Sequence, residues 1–229
     1  GLLDLLYMGV KLGIYPCLIF IGIGAMTDFS PLIANPKSFL IGAGAQLGVF
    51  VAFGGALLIL GDPYLAASVG IIGGADGPTA ITVTKALSPE NLGPIAIAAY
   101  SYMALIPMIQ PPIMKLMTTK KERRIKMKTL RQVSFAEKIL FPVVVTLIVW
   151  LMVPDAVVLV GCLMFGNLLN VCGVTDRLSQ TAQNGLMNTV TIFLGITVGA
   201  TATAQSFLAP KTLIIIACGL IAFMVSTFG

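Results

Sequence analysis

The chain has 229 residues, 57% of them hydrophobic and only 10% charged, against roughly 25% charged in soluble domains; its mean hydropathy is +0.99. It contains no histidine, which excludes histidine general bases and histidine metal sites. Its long apolar runs lack the alternation of an outer-membrane barrel, which leaves an all-α polytopic membrane protein. The cysteines, Cys17, Cys162, Cys172 and Cys218, stand singly in apolar runs, with neither metal nor disulfide spacing, and read as small apolar residues. The net charge of +5 is uneven, because eight of the fourteen basic residues lie between Lys115 and Arg131. Beside membrane helices the positive-inside rule accounts for such a run without nucleic acid.

Taken in chain order, residues 1–8 form an amphipathic lead-in and 10–26 a first membrane segment, with Gly13, Gly22 and Gly24 and an expected bend near Pro16. The chain starts at Gly1 rather than methionine and stops in or just after an apolar run, so it reads as a fragment of a longer protein. Residues 27–36 form a loop with two prolines, 38–60 a second span, and Gly61-Asp62-Pro63 a turn. After the segment 64–87, Ser88-Pro89-Glu90-Asn91 turns the chain into 93–117, which carries Tyr100, Ser101, Tyr102, Gln110 and Pro111-Pro112. The two tyrosines either belong to an interfacial aromatic belt or, lying well inside the apolar run, need a polar partner.

Residues 118–138 are the basic loop, expected to face the cytoplasm. It is either a solvated topogenic loop or a docking surface for acidic lipid or an acidic subunit. Runs 139–153 and 156–174 follow, split by Pro154-Asp155; Asn167 and Asn170 on the second read as interhelical packing residues. Residues 176–184 read as an interfacial amphipathic helix, 186–200 as apolar, 201–210 as a second irregular connection and 212–228 as a last span. The expected total is seven to nine transmembrane or half-membrane helices. The organisation is a single integral membrane domain over 1–229: N-terminal helices 10–117, the basic loop 118–138 and a second helical group 139–229.

One stretch departs from the apolar background: Gly70-Ile71-Ile72-Gly73-Gly74-Ala75-Asp76-Gly77-Pro78-Thr79-Ala80-Ile81. Between Lys37 and Lys85 the only charged residues are Asp62 and Asp76. The apolar runs on either side of the motif are each about half of the ~20 residues that a spanning helix needs. The segment therefore predicts a broken or re-entrant helix with Asp76 at its irregular point. An aspartate within a membrane segment costs ~2.5–3.5 kcal/mol on insertion scales. Irregular backbone at that depth is tolerated where it is buried in protein or lines a watery cavity. Glycine lets backbone approach an ion, and Pro78 removes an N–H, freeing a carbonyl. Half-helix ends and unwound carbonyls build cation sites in transporters. Asp-Gly and Gly-Pro are also ordinary turn signals, so an aqueous turn is the competing reading. No Walker loop, dinucleotide fingerprint or biotin-attachment motif is present.

At Gly13-Ile14-Tyr15-Pro16, Gly22-Ile23-Gly24-Ala25-Met26-Thr27-Asp28-Phe29, Gly73-Gly74-Ala75-Asp76-Gly77-Pro78-Thr79 and Thr119-Lys120-Lys121-Glu122-Arg123 the chain closely resembles one family. That family is the beta subunit of the sodium-pumping biotin-dependent decarboxylases of oxaloacetate, methylmalonyl-CoA and glutaconyl-CoA. Phe165-Gly166-Asn167-Leu168 and Arg177-Leu178-Ser179-Gln180-Thr181-Ala182-Gln183-Asn184 extend the resemblance over essentially the whole chain. It implies an enzyme that decarboxylates carboxybiotin, consumes a proton and exports sodium across a bacterial inner membrane. The biotin is carried on another subunit. The implied partners are a carboxyltransferase alpha subunit, a biotin carrier protein or domain and a small membrane-anchored gamma or delta subunit. The bilayer surrounds the chain, and a homo-oligomer is compatible with this picture.

By residue match, Asp76 takes the place of the family's essential membrane aspartate and Tyr102 that of a functional tyrosine one helix later. The family's Asn…Gly…Ser…Arg block and its later Gly-Pro-Asn segment are missing, so the resemblance implies one half of an inverted-repeat site with the other half beyond Gly229. A carboxylate in a low-dielectric cavity is ionised most readily when a cation sits beside it. Sodium and a proton would therefore compete for Asp76, with Gly77 and Thr79 completing the oxygen shell and Tyr102 bonding the carboxylate or relaying the proton. The alternatives are a secondary sodium/proton or carboxylate transporter without decarboxylase chemistry, and a membrane scaffold that docks a soluble complex.

Overall fold

The computed structural model describes residues 1–126, 130–201, 203 and 208–229. The described residues are helical, with no strand among them. Residues 127–129 of the basic loop, and 202 and 204–207 of the expected irregular connection, lie outside the described residues. Among the described residues, four helices are long and apolar enough to cross a membrane: Pro36–Leu60, Phe135–Met152, Pro154–Val171 and Pro210–Phe228. The number rises to six if each of two bent pairs counts as one span.

The chain divides into two compact units, Gly1–Ser38 with Thr129–Thr197, and Phe39–Lys128 with Val198–Gly229. In the first unit, α1 (Leu2–Lys11) and α2 (Ile14–Met26) meet at 65°. The bend lies at Gly13, whose φ of 78° is left-handed, and not at Pro16. Pro16 sits in the first turn of α2, where a missing N–H costs no helical hydrogen bond. A short helix, α3 (Ser30–Ala34), follows in the proline-containing loop.

Helices α9 (Phe135–Met152) and α10 (Val157–Val171) are separated by the Pro154–Ala156 turn. Helix α2 lies on α10 backbone to backbone. A Cβ at Gly24 would overlap the Leu163 carbonyl, and one at Gly166 would overlap the Ile21 carbonyl. Such small-residue contacts replace the hydrophobic drive that lipid removes. The last carbonyls of α2 lack intrahelical partners, and two amides satisfy them. Asn167 Nδ2 donates to Thr27 O at 2.8 Å, and Gln183 Nε2 donates to Ala25 O at 3.0 Å. Gln183 does not lie on a separate interfacial helix: Asp176–Gln180 (α11), a π-helical stretch Thr181–Leu186 and Met187–Thr201 (α12) follow one another without a break.

The second unit holds α4 (Phe39–Ala45), α5 (Leu47–Leu60), α6 (Pro63–Ile72), α7 (Gly77–Leu87), α8 (Leu92–Met117) and α13 (Pro210–Phe228). Its start and stop signals are local. Gly61, at φ 70°, ends α5, and Asp62 caps α6 by accepting from Tyr64 N at 2.9 Å and Leu65 N at 3.3 Å, with Pro63 at the first position. Leu65, Val69 and Ile72 of α6, Ala80 of α7, Ile95 and Tyr102 of α8, and Ile215 and Phe223 of α13 pack into one apolar core. The predicted broken helix is present as α6 and α7, interrupted at residues 73–76.

Candidate functional site

The interruption is built by opposed local preferences. Successive 3₁₀-type bonds, Gly73 N to Gly70 O, Gly74 N to Ile71 O and Ala75 N to Ile72 O, wind down the end of α6. Ala75 then takes φ 56°, the only described non-glycine residue in the left-handed region, at a cost of about 1 kcal/mol or more. That turn brings Asp76 into an extended conformation as N-cap of α7. Its Oδ1 accepts from Thr79 N at 3.1 Å, and its Oδ2 accepts from Thr79 Oγ1 at 2.5 Å. Asp76 and Thr79 are therefore brought together, and Gly77 is buried beside them at the first helical position. Pro78, at the second, cannot donate to Gly74 O. Among the described residues no donor reaches the carbonyls of Gly74 and Ala75.

Two other helices close on this break. A Cβ at Gly73 would stand 2.5 Å from the Gly48 carbonyl oxygen of α5, so the two backbones touch and only glycine fits. On α13, Ser226 donates its hydroxyl to Gly73 O at 2.6 Å. A Cβ at Gly74 would lie 3.6 Å from Gln46 Oε1, which places the Gln46 amide at the break. Sequence reasoning missed Ser226 and Gln46. Gln46 had a signal, as the one amide side chain within residues 38–60. Ser226 had none, being one serine near the end of an apolar run and 153 residues from its partner.

Tyr102 is placed elsewhere than on Asp76. Its ring lies against Phe223 with centroids 5.4 Å apart, and its hydroxyl donates to the Ile216 carbonyl of α13. Its one proton is thus committed to holding α8 on α13. A Cβ at Gly219 would come within 2.6 Å of Tyr102 Cε2, so this glycine makes room for the ring.

The described part of the basic loop is partly self-neutralised. Arg123 folds back onto the carbonyls of Thr118 and Lys115 at the end of α8. Thr119, through its backbone N–H and hydroxyl, holds the Glu122 carboxyl below the usual range. Arg131 makes two bonds to Glu137, at 2.7 and 3.1 Å. Beside them a cavity of about 440 Å³ is lined by Asp28, Ser30, Arg131 and Lys138 among others, with both signs of charge represented.

These features describe an integral membrane protein with a hydrogen-bonded carboxylate at the break of an interrupted helix. The chain belongs to the family of Na+-transporting oxaloacetate decarboxylase beta subunits, whose sequence profile matches residues 1–229. It is 60% identical over 228 residues to the methylmalonyl-CoA decarboxylase subunit beta of Propionigenium modestum, covering 99% of this chain and 58% of that one. It is 54% identical to the glutaconyl-CoA decarboxylase subunit beta of Acidaminococcus fermentans, covering 100% and 61%. With the oxaloacetate decarboxylase beta chain of Klebsiella pneumoniae the identity is 56%, covering 99% and 54%. The chain thus spans a little over half the length of the curated relatives it matches.

Proposed function

We propose that this chain is the part of a membrane carboxybiotin decarboxylase that couples decarboxylation to sodium export and proton uptake, with Asp76 as the exchanging group. The observation that carries the reading is the break itself: a carboxylate held by Thr79, next to backbone carbonyls that no described donor reaches, inside an apolar helical unit. Hard cations are bound by such oxygens. Sodium is the cargo here, and Asp76, Thr79 Oγ1 and the carbonyls around Gly77 are its proposed ligands. When sodium sits beside Asp76 the carboxylate is ionised; when a proton takes its place the ion is released. In carboxybiotin the N–CO₂⁻ bond breaks, carbon dioxide leaves, and the ring nitrogen keeps the electron pair and takes one proton. Drawing that proton from Asp76 would return the carboxylate to its sodium-binding form. Tyr102 acts from a distance in this scheme, fixing α8 against α13 through Ile216.

The biotin would be carried by a partner protein or domain and carboxylated by a carboxyltransferase alpha subunit, with a small membrane-anchored gamma or delta subunit in the complex. The proposed location is a bacterial inner membrane, with residues 118–138 on the cytoplasmic side, as their charge favours. The test uses the full-length parent complex in proteoliposomes, wild type beside Asp76→Asn. Asparagine caps a helix about as well as aspartate, so the fold should persist while carbon dioxide release and sodium uptake both fall at least 100-fold. If the variant decarboxylates and pumps like wild type, the reading is wrong.

A further inference from the structure

Spacing along the chain gives the four cysteines no pairing, yet two of them face each other in the first unit, which holds neither Asp76 nor Tyr102. Helix α2 ends where α9 begins, since Phe29, just past α2, lies on Phe141 of α9 with ring centroids 5.3 Å apart. The turn at Pro154–Ala156 sends α10 back along α9, so α2 and α10 run in the same direction. The approach of Gly166 to the Ile21 carbonyl fixes their register. Cys17 precedes Ile21 by four residues and Cys162 precedes Gly166 by four. Each cysteine therefore stands one turn back on the face that its helix turns to the other. Both side chains are half-buried, and the two thiols come within hydrogen-bonding reach of each other. Cys172, by contrast, is engaged by Thr175 Oγ1 at 2.8 Å, and Cys218 lies in the core of the second unit.

A disulfide needs Cα atoms about 4.4–6.8 Å apart, closer than most packed helices come. Here Gly24 and Gly166 remove the side chains that would hold α2 and α10 apart. We propose that Cys17 and Cys162 are a dithiol modification site, which a lipid-soluble thiol oxidant closes into a disulfide that clasps α2 to α10. With an aromatic disulfide as oxidant, one thiol gives up its proton and attacks. The reagent's S–S bond breaks, a mixed disulfide forms and one aromatic thiol leaves. The second thiol gives up its proton, attacks the protein sulfur of the mixed disulfide and displaces the other aromatic thiol. The two protein thiols are oxidised, and the reagent is reduced to two thiols that take up the two protons.

The test uses the full-length parent complex in membrane vesicles, treated with dithiodipyridine and then with N-ethylmaleimide to block the remaining thiols. Trypsin next cuts the basic loop at the exposed residues 120–124, between the two cysteines in sequence. On a gel without reductant the wild-type pieces should stay joined, and they should part when dithiothreitol is added. In Cys17→Ser and in Cys162→Ser the link should be lost, whereas Cys172→Ser should keep it. Cys17→Ala and Cys162→Ala, which also lack the thiol, should lose the link too and serve if the serine variants are recovered poorly. The proposal is overturned if the wild-type pieces part without reductant, if either single variant stays joined, or if Cys172→Ser loses the link.

Discussion

At Gly61-Asp62-Pro63 and at Gly73-Gly74-Ala75-Asp76-Gly77-Pro78, one helix ends and the next begins on an aspartate cap with a proline in the first turn. The surroundings separate the two junctions. Gly61 has no neighbour within 4 Å of a Cβ, and Pro63 and Tyr64 are exposed. Asp62 has a single job there, accepting two backbone N–H groups through one oxygen. At the second junction Gly73, Gly77 and Pro78 are buried, α5 and α13 close against the break, and both oxygens of Asp76 are engaged by Thr79. The same local grammar therefore yields a turn at the edge of the unit and a half-buried polar point braced by α5 and α13, although Asp62 and Asp76 are themselves both half-buried. Burial by helices distant in sequence, rather than the motif alone, makes the second junction a site.

The sharpest contrast lies in paired substitutions of the two aspartates. Asp76→Asn should abolish coupled activity while leaving the cap intact, whereas Asp62→Asn should alter neither thermal stability nor turnover, since asparagine and aspartate cap about equally. Equal losses of activity in both variants would mean that the junctions are alike in function. The glycines come next. Gly73→Ala drives a methyl into the Gly48 carbonyl and should destabilise the unit by about 3 kcal/mol. Gly61→Ala meets open space and pays only for its positive φ, about 1 kcal/mol. Denaturation midpoints in detergent would rank them. The smallest effect expected is that of Ser226→Ala, which removes one hydroxyl from the Gly73 carbonyl and should cost about 1 kcal/mol. A midpoint identical to wild type would mean that α13 does not brace the break.

Much of this architecture is written locally. The interruption at 73–76 follows from glycines, a capping aspartate and a proline standing where an apolar run should continue, and the turns at 61–63, 88–91 and 154–156 follow from similar signals. The bend expected near Pro16 lies three residues before it, at Gly13, because a proline in the first helical turn looks in sequence like one in the middle. The polar run 176–184 suggested a surface helix; its Gln183 in fact serves the end of α2, a contact 158 residues away. Hydropathy pattern does not tell the two tyrosines of α8 apart, because an apolar background on all sides leaves no stripe to mark which side chain faces which neighbour; only the family resemblance singles out Tyr102. That each unit is made of two separated stretches of chain leaves no local trace at all.

The π-helical stretch Thr181–Leu186 has a further consequence for the helix that runs through it. A π turn holds one more residue than an α turn, so every side chain beyond it is set back in phase by about 100°. Residues 176–180 and 187–201 are thus two helical faces joined with an offset, like gears meshed one tooth apart. A chain shorter by one residue here would form a plain α-helix, but it would present a different set of side chains, with Val190, Leu194 and Thr197 turned out of the positions in which they are now buried.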